Sequence, residues 1–128
     1  MADVLFDTTV LIDYYNGDPA AQSLVELVMA GEATASVSPV TTFEIWLGIE
    51  DHDEEVAFRA LMNSLEPAPL TEEMARIAAV WLRGLSPRRA ENLFRDALIA
   101  TTASSRKETV VTRNIGDFQR FGIDVQPY

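Results

Sequence analysis

The sequence has no cysteine and only one histidine, His52, in 128 residues. Without thiols, a disulfide framework and a cysteine-based zinc or iron–sulfur site are both excluded. A single histidine makes a Ser-His-Asp triad or a multi-histidine metal centre improbable. No apolar run is long enough to cross a bilayer, and no basic start followed by an apolar stretch marks a secretory leader. We therefore expect a cytoplasmic protein with no membrane association.

Positive charge is scarce and unevenly placed. The chain has 10 Lys and Arg against 20 Asp and Glu, and none of the basic residues precedes Arg59. This overall acidity argues against loose binding to nucleic acid, which depends on cationic contacts with phosphates. A local basic patch remains compatible with phosphate binding, although an ordinary solvated face is the alternative. Its candidate members are Arg88, Arg89, Arg95, Arg106, Lys107 and Arg113.

Length and composition indicate one globular domain over residues 1–128, large enough to bury a core without cross-links. Short apolar runs alternate with helical stretches, which predicts an α/β domain with a parallel sheet. The predicted strands are 4–6, 33–37, 109–111 and 123–125, with a short extended piece at 67–69. The predicted helices are 8–14, 18–30, 38–49, 54–65, 71–83, 93–105 and 115–121.

Several helix boundaries have recognisable signals. Asp18 and Ser38 each stand directly before a proline, which is the arrangement of an N-cap followed by proline in the first turn. Gly31 is placed to end the first of these two helices. Pro87, by contrast, is expected to interrupt the chain before a long apolar helix that begins at Leu93.

Four carboxylates lie in otherwise apolar or uncharged stretches, namely Asp7, Glu44, Asp96 and Asp117. Asp7 ends the first predicted strand, where ligands gather in open parallel sheets. Glu44 is the only charge between Glu32 and Glu50. Burying an ionised acid is costly unless its charge is offset, and acids cannot offset one another. A bound cation is the usual solution.

Each acid also has a purely structural interpretation. Asp7 can cap the helix that follows it, and Glu44 can bond backbone within a helix buried on all sides. Asp117 can form a capping box with Asn114, three residues earlier.

Asp96 can be an acid favoured by the helix dipole in a first turn, or the partner of Arg95 or Arg89. No single acid decides between the structural and the functional interpretation, so the argument depends on the four taken together.

The sequences around the four acids resemble the four motifs of the PIN-domain ribonucleases, in order and in spacing, across essentially the whole chain. Thr9 departs from the Asn or Ser that is frequent at its position. The segment before Asp96 lacks a Gly often present there, which affects the expected shape of a substrate groove. The matching stretches are FDTTVLID (6–13), TTFEIWLGI (41–49), RDALIATTA (95–103) and VVTRNIGDF (110–118).

The resemblance implies a three-layer α/β/α sandwich around a parallel sheet of about five short strands. It also implies an endoribonuclease dependent on Mg²⁺ or Mn²⁺, of the VapC type found as the toxin of toxin–antitoxin pairs. The implied catalytic residues are Asp7, Glu44, Asp96 and Asp117, of which Asp7, Asp96 and Asp117 hold metal. The implied substrate-binding residues are Thr8, Arg113 and Asn114, although Arg113 can equally be a surface or structural residue.

The implied partners are an RNA substrate, a cognate antitoxin protein and a second copy of the chain in a homodimer. Trp46, Phe58 and Trp81 can anchor such an interface, or can simply belong to the core.

Other functions stay open at this stage. An aspartyl-phosphate phosphatase or receiver-like protein also places an aspartate after its first strand. That class needs a lysine late in the chain, yet Lys107 precedes a strand rather than following one, and the phosphatase pattern needs an Asp where Thr9 stands. A catalytically silent interaction module with a PIN-like fold is the other alternative, although such modules usually lack some of the acids. A flap-endonuclease-type DNA nuclease would need a longer chain.

Overall fold

A computed structural model of the protein describes residues 3–128. Five short strands form one parallel sheet in the order β3-β2-β1-β4-β5, which confirms the predicted α/β class. The strands are β1 (Val4–Phe6), β2 (Ser36–Val37), β3 (Glu66–Pro67), β4 (Thr109–Val111) and β5 (Val125–Gln126). The helices are α1 (Thr8–Tyr15), α2 (Pro19–Met29), α3 (Pro39–Leu47), α4 (His52–Asn63), α5 (Glu72–Leu82), α6 (Pro87–Arg106) and α7 (Ile115–Gln119).

The sheet is covered on both faces, because successive strand residues point to opposite sides. Phe6 and Val111 join an apolar cluster built with α1, α2, α3 and α4. Leu5 and Val110 join a second cluster, built mainly with α6 and α7. Helices above and below the sheet make the three-layer sandwich that the resemblance implies.

Two proline-led helices begin where the sequence predicts. The Asp18 carboxylate accepts a hydrogen bond from the Ala21 amide at 2.9 Å, and the Ser38 hydroxyl accepts one from the Val40 amide at 3.1 Å. Gly31 follows the end of α2 with a φ of 76°, a left-handed conformation that glycine adopts without steric cost. The capping signals therefore acted as predicted.

The start of α6 was predicted wrongly. The helix begins at Pro87 rather than Leu93, and Ser86 is its N-cap, with its hydroxyl accepting from the Arg89 amide at 3.3 Å. A proline in the first helical turn starts a helix instead of interrupting the chain, because its missing N–H has no intrahelical partner to lose there. Asp96 therefore lies well inside α6, and its interpretation as a first-turn acid is wrong.

Other boundaries shift by a few residues. The strand predicted at 33–37 covers only Ser36–Val37, since the amides of Glu32 and Ala33 still bond the Leu27 carbonyl at the end of α2. The last strand is Val125–Gln126, because the pairing of Val125 with β4, and not the apolar character of Ile123, fixes where it lies.

The topology puts two chain segments side by side at one edge of the sheet. β1 and β4 are parallel neighbours and end in register, Phe6 opposite Val111, so Asp7 and Thr112 both follow at the carboxyl edge. The opposite edge is where the strands begin, with Ser36 as the first residue of β2 and Glu108 directly before β4. No helix between residues 3 and 128 is both long and apolar enough to span a membrane.

Candidate active site

Asp7 is a buried acid at the carboxyl edge of the sheet, with 3% of its surface exposed. Its Oδ2 accepts hydrogen bonds from the hydroxyls of Thr112 at 2.8 Å and Thr9 at 3.2 Å. Burial raises the pKa of Asp7, and the hydrogen bonds from Thr112 and from the start of α1 only partly oppose this. Asp7 is the N-cap residue of α1, as the structural interpretation predicts, although its side chain makes no capping hydrogen bond there.

Glu44 is half-buried on α3 and is held by side chains, not by backbone. The Thr8 hydroxyl donates to Glu44 Oε1 at 3.0 Å. Thr8 Oγ1 also lies 2.9 Å from the hydroxyl oxygen of Thr41. Because the single hydroxyl hydrogen of Thr8 goes to Glu44, Thr41 can be the donor in this second bond. The alternative of a helix buried on all sides is wrong, because Leu47, one turn after Glu44, is 74% exposed.

Asp96 is bound by the loop that follows β4. The side-chain amide of Asn114 donates to Asp96 Oδ2 at 2.9 Å, and the Asn114 backbone amide donates to the Thr112 hydroxyl at 2.9 Å. The Asn114 side chain makes no capping bond to α7, so the capping box with Asp117 is not formed. Residues 112–114 thus contact both Asp7 and Asp96.

One open cleft of about 210 Å³ collects most of the predicted site residues. Asp117 and Arg113 are not part of its lining, although both were expected at the site. The lining consists of Asp7, Thr8, Thr9, Ile12, Glu44, Asn92, Arg95, Asp96 and Asn114.

The electrostatics of the cleft are dominated by uncompensated negative charge. Burial, followed by the charges of Asp7, Asp117 and Glu44, raises the pKa of Asp96 to about 7, and Arg95 opposes this only in part. Asp117 therefore acts on Asp96 through space without lining the cleft. A proton on Asp96 or a cation in the cleft relieves this repulsion.

The donor atoms of the cleft fit a hard, partly hydrated cation. They are carboxylate, hydroxyl and amide oxygens, the ligand type that Mg²⁺ and Mn²⁺ prefer. Within residues 3–128 no group of three or more His, Cys, Asp or Glu is arranged to hold a metal ion. A closed protein cage is thus absent from this part of the chain. Mg²⁺ commonly needs only one or two carboxylates because it retains several waters.

Arg113 has the structural contacts that one of its two interpretations predicts. Its guanidinium Nε lies 2.8 Å from Asp13 Oδ2, and a terminal nitrogen lies 2.8 Å from Asp18 Oδ2. The same group lies 4.5 Å from the ring centroid of Tyr128. Both carboxylates and the ring thus hold Arg113 in a structural network, while a contact between Arg113 and phosphate stays a prediction.

The predicted basic patch is divided between the two edges of the sheet. Arg106 pairs with Glu108 and Glu66 at the edge where the strands begin. Arg95 lines the acidic cleft together with Asn92 from the preceding turn of α6. Arg95 is therefore the basic side chain that the described part of the chain supplies to the cleft lining.

Sequence reasoning did not assign a role to Thr112, the residue that bonds Asp7. A signal was available, because Thr112 directly follows β4 just as Asp7 follows β1, and neighbouring parallel strands end at the same edge. The receiver-like alternative loses its support, since Lys107 lies between α6 and β4, at the edge opposite Asp7.

Comparison with known proteins identifies the family of this chain. A model of the PIN domain family matches residues 4–123, and the chain belongs to that family. It is 34% identical to Ribonuclease VapC19 of Mycobacterium tuberculosis over 129 residues, which is 96% of this chain and 97% of the relative.

Solved structures show the same fold. A chain of the DNA-bound VapBC complex from Salmonella typhimurium matches with a TM-score of 0.79 at 22% identity, covering 99% of this chain and 98% of that one. A chain of VapBC2 from Rickettsia felis, bound to a DNA fragment from its promoter, matches with a TM-score of 0.72 at 16% identity, covering 98% of both.

Proposed function

We propose that this protein is an endoribonuclease dependent on Mg²⁺ or Mn²⁺ and acts as the toxin of a toxin–antitoxin pair in the cytoplasm. The observation that carries the proposal is the cleft shared by Asp7, Glu44 and Asp96, where the pKa of Asp96 is raised to about 7. The name of the relative from Mycobacterium tuberculosis supports ribonuclease as the activity.

Asp7 and Asp96 are the residues that hold the ion in this proposal. A bound divalent ion lowers the pKa of a coordinated water and offsets negative charge on a phosphodiester. Thr112 and Asn114 fix the two carboxylates by hydrogen bonds, so their oxygens keep a defined direction. Asp117, which raises the pKa of Asp96 from outside the cleft lining, would strengthen the attraction of the cleft for the ion by its negative charge.

Glu44 and Arg95 act on the substrate side. Glu44, oriented by the Thr8 hydroxyl, would take the proton of the attacking water as the water oxygen bonds phosphorus; the P–O bond to the leaving ribose oxygen breaks, and solvent protonates that oxygen. Arg95 lines the same cleft and binds a phosphate oxygen of the RNA by a charge-assisted hydrogen bond. This assigns to Arg95 the phosphate contact that the sequence suggested for Arg113.

An antitoxin protein is the proposed partner, because solved relatives of this fold are VapBC toxin–antitoxin complexes. Large apolar side chains stand exposed on α1 and α3, the helices that also carry Thr8 and Glu44. A homodimer is proposed as well, with half-buried Trp46 and Trp81 available as contacts; Phe58, at 8% exposed, belongs to the core.

The test is cleavage of a structured RNA by purified protein with Mn²⁺, with and without EDTA. Asp7→Asn should lower kcat by more than about a hundredfold, since loss of a residue that only supports a metal ligand already costs about 10- to 100-fold. Asp124→Asn is the matched control, because it removes an exposed carboxylate outside the cleft lining.

Cleavage that survives EDTA, or equal activity of Asp7→Asn and wild type, contradicts the proposal. Binding of Mn²⁺ without turnover of transfer, ribosomal or messenger RNA favours the catalytically silent module instead.

A further inference from the structure

The loop 112–114 is held by the Thr112 amide, which donates to the Gln126 carbonyl at 3.2 Å, and by the side chain of Arg113, which touches no acid of the cleft. Arg113 stands between Thr112, which bonds Asp7, and Asn114, which bonds Asp96. Its guanidinium engages Asp13 and Asp18, each with an N···O distance of 2.8 Å. Arg113 therefore connects the acid-holding loop to α1 and to the residue before α2.

Each partner of Arg113 is itself fixed. Asp18 caps α2 by accepting from the Ala21 amide at 2.9 Å. Asp13 Oδ2 also accepts the Tyr128 hydroxyl at 2.7 Å, and the Tyr128 ring lies 4.5 Å from the guanidinium carbon of Arg113. We call Arg113, Asp13, Asp18 and Tyr128 the arginine clasp.

The clasp also reaches Asp7 through backbone. The Arg113 amide donates to the Thr9 hydroxyl at 3.4 Å, and that hydroxyl donates to Asp7 Oδ2 at 3.2 Å. A displacement of Arg113 thus alters both hydroxyl hydrogen bonds that Asp7 receives, one from Thr9 and one from Thr112.

We propose that Arg113 is a positioning residue, which holds loop 112–114 so that Thr112 and Asn114 keep Asp7 and Asp96 aimed into one cleft. The proposal rests on the proposed function, because it concerns the same metal-binding acids. The physical need is clear: like charges in a half-buried cleft repel one another, so their supports must be anchored from outside it. Asp13 and Asp18 balance the charge of Arg113, so it does not act as a competing cation.

The first experiment measures Mn²⁺ affinity by titration calorimetry for wild type and Arg113→Ala. Removing a nearby positive charge should by electrostatics alone tighten Mn²⁺ binding. Loss of positioning should weaken it, by about tenfold, the low end of the effect of residues that support metal ligands. Affinity equal to wild type or tighter overturns the proposal. Arg76→Ala is the control for charge, since Arg76 pairs with Glu73 on the surface of α5.

A second variant avoids any change of charge. Tyr128→Phe removes only the hydroxyl that bonds Asp13, so a smaller loss of Mn²⁺ affinity in the same direction is expected. Tyr14→Phe is its matched control, because the Tyr14 hydroxyl bonds Met29, outside the clasp. Equal affinities of Tyr128→Phe and Tyr128→Ala with wild type contradict a role for the clasp.

Kinetics separate positioning from substrate binding. With Mn²⁺ saturating, Arg113→Ala should lower kcat and leave KM for RNA near the wild-type value, and Arg113→Lys should recover part of the loss. A raised KM with unchanged Mn²⁺ affinity means that Arg113 binds phosphate instead, which overturns the proposal.

Hydrogen exchange distinguishes failure of this inference from failure of the proposed function. The Asn114 amide bonds the Thr112 hydroxyl, and in metal-free Arg113→Ala it should exchange faster than in wild type and in Arg76→Ala. Unchanged exchange overturns the inference even where wild type binds Mn²⁺ and cleaves RNA. Absence of Mn²⁺ binding by wild type contradicts the proposed function. The exchange result still decides whether Arg113 holds loop 112–114 in place.

Discussion

At the edge where the strands begin, Glu108 is only 4% exposed and lies against the guanidinium group of Arg106. Arg106 Nε donates to its Oε1 at 2.7 Å, and the Ser36 hydroxyl lies 2.8 Å from both of its carboxylate oxygens. Arg106 also reaches Glu66 at 3.3 Å, and its hydrogen bond to Glu108 is the main reason why its pKa is raised. The fold supplies the counter-charge that this buried acid needs.

At the edge where the strands end, Asp7 is just as buried, at 3% exposed, but its hydrogen-bond partners are the neutral hydroxyls of Thr112 and Thr9. Asp96 likewise receives a neutral amide from Asn114. Burial alone is therefore no sign of function in this protein. The distinguishing feature is whether the fold provides the counter-charge or leaves it to a bound ion.

The largest effect on stability is expected from Glu108→Gln. Removing one member of a buried ion pair leaves Arg106 poorly compensated, and the free energy of unfolding should fall by about 3 kcal/mol. Folded protein should keep wild-type RNA cleavage, because Glu108 lies at the edge opposite the cleft. Urea unfolding of Glu108→Gln against the exposed-site control Glu91→Gln measures this.

A difference between those two variants within about 0.5 kcal/mol, the range of ordinary surface substitutions, would contradict the comparison. It would mean that the fold does not depend on the counter-charge at this edge.

Sequence reasoning predicted the sheet and most of the cleft because their signals are local. Asp7 follows an apolar strand, and Glu44 and Asp96 interrupt uncharged helical stretches, so each is visible within about ten residues. Glu108 gave no such signal, because it stands in the polar segment 106–109 and its hydrogen-bond partner Ser36 is 72 residues away in sequence.

Partners that are distant in sequence also explain why the contacts of Arg113 were not predicted. Its position beside a strand end suggested phosphate binding, whereas its side chain is fixed by Asp13, Asp18 and Tyr128 from other parts of the chain. Partner choice of this kind depends on tertiary proximity, which residue spacing does not encode. The start of α6 was different, because the Ser86-Pro87 signal was present and was interpreted as a break.

A smaller effect on stability is expected from binding Mn²⁺ at the edge where the strands end, because the fold gives the acids there no full counter-charge. Mn²⁺ at about 100 times its Kd should raise the free energy of unfolding by about 2.7 kcal/mol at pH 8. Asp96→Asn should lose most of this gain, whereas Glu91→Gln should keep it. Thermal unfolding with and without Mn²⁺ checks both, and equal gains in Asp96→Asn and wild type would place the ion elsewhere.

The smallest effect on stability is expected in the metal-free protein. Its sign is opposite to that of Glu108→Gln, which lowers the free energy of unfolding. Asp96→Asn should stabilise the protein at pH 8, because it removes a charge that the cleft disfavours while Asn114 can still donate to the new side chain. The gain should be smaller than the loss in Glu108→Gln, since Asp96 is only half-buried and solvent screens its charge.

The pH dependence of stability gives the sharpest form of this prediction. The folded pKa of Asp96, about 7, lies above its ordinary value of 3.8, so the folded state retains a proton that the unfolded state releases. This contribution to stability is complete below pH 3.8 and is lost as pH rises through about 7. Asp7, whose pKa is also raised, acts in the same direction.

Metal-free wild type should therefore melt at a lower temperature at pH 8 than at pH 5, and the melting temperature of Asp96→Asn should depend less on pH. The control Asp124→Asn should show the same dependence of melting temperature on pH as wild type. Parallel profiles for all three proteins would contradict the electrostatic difference between the two edges.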